Sequence, residues 1–99
     1  MVSEAQVVQI VISKLKAGAS RERFIELTKQ MKEWFLTQDG FVSYEVYEND
    51  RDWADKIVWK DSESAKRINK AFLESNIFRE MGPLVEPDYR GFFGRRVDV

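Results

Sequence analysis

The stretch from Val7 to Leu15, VVQIVISKL, constrains this chain more than any other, because at strand spacing it is apolar on both sides. Its Val and Ile content marks it as a β-strand. Side chains along a strand alternate between faces, so Val8, Ile10 and Ile12 share one face and Val7, Val11 and Leu15 the other. Such a strand belongs in the centre of a sheet covered on both sides.

The rest of the chain supplies cover for one side. Gly18 turns the backbone and Ser20 stands where it can cap a helix. Phe24, Leu27, Thr28, Met31, Trp34 and Phe35 then follow at the spacing of one helical stripe, and Gly40 punctuates its end. Phe41 to Glu48 and Ala54 to Lys60 read as strands, joined by a polar hairpin at Asn49 to Asp52. Asp61 or Ser62 can cap a second helix whose inward face carries Ala65, Ile68, Asn69 and Phe72. Ser75-Asn76 interrupts it before a further turn through Ile77, Phe78 and Met81, and Pro83 and Pro87 discourage helix beyond. Tyr89 to Val97 is a closing strand.

The order is therefore βαββαβ, a ferredoxin-like α+β arrangement with a four-stranded antiparallel sheet and both helices on one face. Ile57 and Trp59 oppose Val58 in the third strand, and Phe92 opposes Phe93 in the fourth. The sheet is thus apolar on the side that the helices leave bare, and monomers avoid exposing so large a patch. A second copy of the sheet is the simplest cover, so a homodimer is expected. A charge at an interior position such as Val11→Glu should split or unfold it.

Composition narrows the function. At 99 residues the chain reads as a single domain, residues 1–99, with a modest core. Sixteen basic and seventeen acidic residues nearly cancel, leaving no global field for nucleic acid or anionic lipid. No apolar run approaches the roughly 20 residues of a membrane span, and Met1 to Gln6 carry no basic segment of the kind that opens a secretory signal. No nucleic-acid or membrane partner is expected, and the cytoplasm is the default location. The chain has no Cys and no His. Thiolate nucleophiles, iron–sulfur clusters, Ser-His-Asp triads and His-ligated metals or haem are therefore outside its chemistry, and no metal site is expected.

Two short patterns fail on inspection. Arg90-Gly91-Phe92-Phe93-Gly94 has the basic-Gly-aromatic opening of an RNA-binding strand, but lies in the fourth strand rather than the third and departs from the pattern after Phe92. Asp50, Asp52 and Asp61 have a faint calcium-loop spacing, but Asp55 replaces the necessary Gly and strands flank the loop. Glu4, Glu45, Glu48, Glu63 and Glu86 show no pairing that places two carboxylates in one site.

What remains are candidates for a small-ligand pocket. Trp34 fits the core stripe, and Trp53 borders the hairpin as a lid or interface residue. Trp59 ends the third strand just before a helix cap, where an indole can wall a pocket or fill the core. Asn69 points inward, so its amide needs hydrogen-bond partners, either neighbouring backbone or a ligand oxygen. Phe72 lies on the same helical face, and Tyr44 is a further polar candidate.

The chain resembles the antibiotic biosynthesis monooxygenase type of dimeric α+β barrel. The resemblance rests on the opening strand running into Lys16-Ala17-Gly18, on Asp39-Gly40-Phe41, on Ile57-Val58-Trp59-Lys60 leading to Ser64-Ala65, and on Phe72-Leu73-Glu74-Ser75 through Phe78. It implies sheets packed face to face in a dimer. It also implies oxidation of quinol-like or polycyclic aromatic substrates by molecular oxygen, with no cofactor, metal or flavin. Asn69 stands about where many members carry a helical His, and Trp59 matches the Trp that commonly closes strand three. For the haem-degrading branch the same alignment puts Val11, Phe72 and Gly82 where an Asn, a Trp and a His are needed, so haem degradation is not expected. The expected function is a cofactor-independent monooxygenase acting on a small aromatic compound, with Trp59 and Phe72 as walls and Asn69 and Tyr44 as polar contacts. A non-catalytic dimeric ligand-binding or effector module is the alternative. An enzyme should show at least two convergent polar groups against an apolar wall.

Overall fold

The protein is described by a computed structural model covering residues 5–99; residues 1–4, which include part of the segment read for a targeting signal and Glu4, lie outside the described residues. The elements run β1 (Val7–Lys14), α1 (Arg21–Leu36), β2 (Phe41–Asn49), β3 (Asp52–Trp59), α2 (Ser62–Leu73), α3 (Asn76–Met81), one turn of 3₁₀ helix (Gly82–Leu84) and β4 (Arg90–Gly94). The four strands form one antiparallel sheet in the order β2-β3-β1-β4. The βαββαβ order read from periodicity is the observed one, and β1 is central. β4 is shorter than the Tyr89 to Val97 strand expected, because its ladder with β1 begins at Arg90 and ends where Gly94 meets Val8, next to the start of β1.

Each α-helix starts at a side-chain cap. Ser20 Oγ accepts from the Arg23 amide at 3.1 Å, Asp61 Oδ1 from the Ser64 amide at 2.7 Å, and Ser75 Oγ from the Phe78 amide at 3.2 Å. The α1 stripe is buried as its spacing requires, with Phe24, Leu27, Thr28, Met31 and Phe35 inside. Trp34 is half-buried at the edge of that stripe, its ring 5.8 Å from that of Phe72. The β2–β3 hairpin closes through Asp50, which takes the left-handed conformation at φ 54°.

The register sorts the sheet into two faces. Toward the helices point Val7, Gln9, Val11 and Ser13 of β1, with Leu15 just beyond it, and Trp53, Asp55, Ile57 and Trp59 of β3. Toward the other side point Val8, Ile10 and Ile12 with Ala54, Val58 and Phe92. Among the described residues no helix covers this second face, where Ile12 is 50% and Phe92 62% exposed. Val11 faces the helices and so does not test that surface; Ile12 does. Trp53, expected as a lid or interface residue, is core instead: it is 3% exposed and meets Phe24 edge-on at 5.0 Å. Period-2 alternation turns it inward with Ile57 and Trp59.

Candidate functional site

Between the sheet and the helices lies a cavity of about 140 Å³. Its floor is the inward row of β1, Gln9, Val11 and Ser13, with Asp55 and Ile57 of β3 beside it. α1 contributes Phe24, Met31 and Phe35, α2 contributes Asn69, Phe72 and Leu73, and Phe78 and Met81 close it from α3. Leu73 and Tyr89 line it while being 54% and 44% exposed, which marks the mouth. On the β4 side Gly91 pairs with Val11, and a Cβ placed there would meet nothing within 4 Å. That flank of the sheet is unobstructed.

The polar groups of this apolar chamber form two sets. In the first, the side-chain amides of Gln9 and Asn69 bond reciprocally: Gln9 Nε2 donates to Asn69 Oδ1 at 3.0 Å, and Asn69 Nδ2 donates to Gln9 Oε1 at 2.9 Å. Asn69 Nδ2 also donates to the Ala65 carbonyl at 2.7 Å, and Trp59 Nε1 donates to Gln9 Oε1 at 2.8 Å. Among the described residues, one Gln9 N–H and one lone pair of Asn69 Oδ1 are left over. The sequence-level choice for Asn69, between backbone and ligand, thus resolves into both a backbone bond and a place on the cavity wall.

In the second set, the Tyr44 hydroxyl donates to Asp55 Oδ1 at 2.5 Å. Burial raises the Asp55 carboxyl above the usual carboxylate range, and the Tyr44 hydrogen bond, which acts the other way, only partly offsets it. Burial, and then the charge of Asp55 and the same hydrogen bond, push the Tyr44 phenol far above the usual phenol range, so it stays a neutral donor. The Ser13 side chain also lines the chamber.

Of the sequence candidates, Asn69 and Phe72 line the cavity. Trp59 is fully buried behind it, touching Phe35 and Phe41 and holding Gln9 in place rather than forming the wall. Tyr44 reaches the site through Asp55. Two residues were not anticipated from sequence. Gln9 sits inside an apolar strand, and Asp55 alternates with Trp53, Ile57 and Trp59. An amide and an acid at inward positions of two central strands are the signal that finds them.

Among the described residues no group of three or more His, Cys, Asp or Glu is placed to hold a metal ion, and no helix is long and apolar enough to cross a membrane. Neither a protein-family profile nor a curated protein matches the sequence. Solved structures do match the fold. A variant of SnoaB, a cofactor-independent oxygenase from Streptomyces nogalater, superposes with a TM-score of 0.81 at 15% identity, covering 96% of each chain. A candidate antibiotic biosynthesis monooxygenase from Nitrosomonas europaea gives a TM-score of 0.75 at 14% identity, over 98% of this chain and 95% of that one. Another from Bordetella bronchiseptica gives 0.75 at 14% identity, over 94% and 98%. End-to-end coverage with so little shared sequence is agreement in backbone architecture, and by that architecture the chain has the ferredoxin-like α+β fold of the antibiotic biosynthesis monooxygenase type.

Proposed function

We propose that this protein is a cofactor-independent monooxygenase for a small aromatic, quinol-like compound. One observation carries it: an apolar cavity into which the polar groups of Gln9, Asn69 and Asp55 converge from three different elements. The similarity in fold to a cofactor-independent oxygenase supports the same reading. In the proposed reaction a ring hydroxyl loses its proton and the anion passes electrons to molecular oxygen. One oxygen atom forms a bond to an unsubstituted ring carbon and replaces its hydrogen, and the other leaves as water. A phenol thereby becomes a quinone. Gln9 and Asn69 orient the ring through their remaining donor and acceptor.

The working unit of this proposal is a homodimer in the cytoplasm. Val8, Ile10, Ile12, Val58 and Phe92 make the helix-free face largely apolar around Lys56 and Arg90, and a second copy would cover it.

The test is aerobic incubation with phenol, hydroquinone and α-naphthol, following oxygen uptake and quinone formation with isotopically labelled dioxygen. Uptake above the uncatalysed rate, with label in the quinone, is expected. Saturable binding of these compounds without uptake would instead make the protein a non-catalytic ligand-binding module.

A further inference from the structure

Among the described residues the cavity wall carries one carboxylate, Asp55, and the surroundings of its two oxygens differ. Oδ1 of Asp55 receives the Tyr44 hydroxyl. Oδ2 has no hydrogen-bond partner among the described residues, and it is not among their sealed, unpartnered polar atoms. The side chain carrying it lines the cavity, with Phe24, Met31, Phe35 and Phe72 among the walls. An acceptor on the wall of an apolar chamber, with its other oxygen already held, is a fixed receptor for an acidic O–H. Gln9, with its spare N–H, is a diagonal neighbour of Asp55 on the adjacent strand, since Asp55 pairs with Val11 and Ile57 with Gln9. Such neighbours lie about 7–8 Å apart at the backbone. A ring with a hydroxyl at one end and an oxygen acceptor at the other can bridge them. The volume bears on size: about 140 Å³ is close to the roughly 150 Å³ of a cavity that takes benzene.

We infer that Asp55 selects the ligand and is its proton acceptor: the ligand is a single ring bearing an acidic hydroxyl, seated with that O–H on Asp55 Oδ2. This deepens the oxygenase reading and rests on it for the chemistry after deprotonation. In the step itself the ring O–H bond breaks, its electron pair stays on the ring oxygen, and the proton passes to Asp55. Nothing is oxidised or reduced until oxygen reacts. Tyr44 is a positioning residue, holding Oδ1 and leaving Oδ2 for the ligand. Among the described residues of the cavity wall the only other titratable group is Tyr89 at the mouth; the residues contributed by β1, α1, α2 and α3 are all neutral.

Phenol and anisole separate this role from simple apolar binding, since they differ by one methyl group that removes the donor. NMR titration of the wild type at neutral pH should show phenol bound roughly tenfold or more tighter than anisole. Asp55→Asn should bring the two to within about twofold with anisole still bound, which also reports an intact cavity. In the wild type the phenol preference should fade as pH drops through the raised carboxyl pKa. Tyr44→Phe, which removes the hydrogen bond holding that pKa down, should make it fade at higher pH. A purely structural role for Tyr44 would not move that midpoint. Equal affinities in the wild type, or a preference that survives Asp55→Asn, would overturn the inference. If neither compound binds, the cavity reading falls and the inference with it. Selective phenol binding through Asp55 without oxygen uptake from phenol or hydroquinone would sink the oxygenase reading alone.

Discussion

The side-chain amides of Gln9 on β1 and Asn69 on α2 face each other across 60 residues of sequence and exchange hydrogen bonds of 3.0 and 2.9 Å. A reciprocal amide pair is directional, so it sets the angle at which α2 rests on the sheet as well as satisfying two polar groups. Trp59 adds a second donor to the Gln9 oxygen. The wall of the cavity is therefore held by a polar clasp inside an apolar layer.

Asn69→Ala breaks this clasp on one side. It strands the Gln9 N–H and removes the bond to the Ala65 carbonyl. We expect a loss of about 1–3 kcal/mol in urea unfolding, together with weaker binding of ring ligands. Unchanged stability would mean that water replaces the amide without penalty.

Trp59→Phe separates core from site. The indole is 0% exposed and lies behind the cavity wall. Replacing it removes the bond to Gln9 and leaves a void, for about 1–3 kcal/mol of destabilisation. Gln9 keeps its bonds to Asn69. Ligand affinity per folded molecule should then change little, as calorimetric titration below the unfolding temperature would show.

Asp55→Asn should reveal a function–stability conflict through pH. Burial raises the folded carboxyl pKa above its unfolded value. Its contribution to stability is therefore full below the unfolded pKa and is lost as pH rises through the folded one. At neutral pH the neutral amide variant should be the more stable protein, and the gap should close on acidification. Thermal unfolding from acid to neutral pH measures it, and a gap that widens toward acid would contradict the sign.

Ile12→Glu tests the uncovered face. Ile12 is 50% exposed there, beside the inward-facing row but not part of it. Sedimentation of the wild type at micromolar concentration should give about twice the 11.7 kDa chain mass, and the variant should sediment as a folded monomer. Burying two unpaired carboxylates against each other would cost several kcal/mol per dimer.

Gly40→Ala should damage the junction between α1 and β2. Gly40 has φ +110°, and a Cβ there would collide with the Ser64 side chain, which is itself buried. Strain and overlap together should cost roughly 2–4 kcal/mol. Ser64→Gly in the same chain should return part of it, and a neutral Gly40→Ala would show that the loop can shift.

Local sequence was enough to dictate the βαββαβ order, the central place of β1, the α1 stripe and the caps at Ser20 and Asp61. Each comes from pitch or from a short-range hydrogen bond: alternation along β1, the three-and-four spacing from Phe24 to Phe35, a capping oxygen three residues before its amide. Even the inward direction of Asp55 is implicit in its alternation with Trp53, Ile57 and Trp59. Tertiary packing settled what these side chains meet. Trp59 went behind the wall and Phe72 onto it, Tyr44 reached the cavity only through Asp55, and Asn69 found Gln9. Those outcomes depend on where α2 settles on the sheet and on the β2–β3 register, which are set by the packing of residues far apart in the chain. Periodicity fixes the face on which a side chain lies; docking of one element on another fixes its partner.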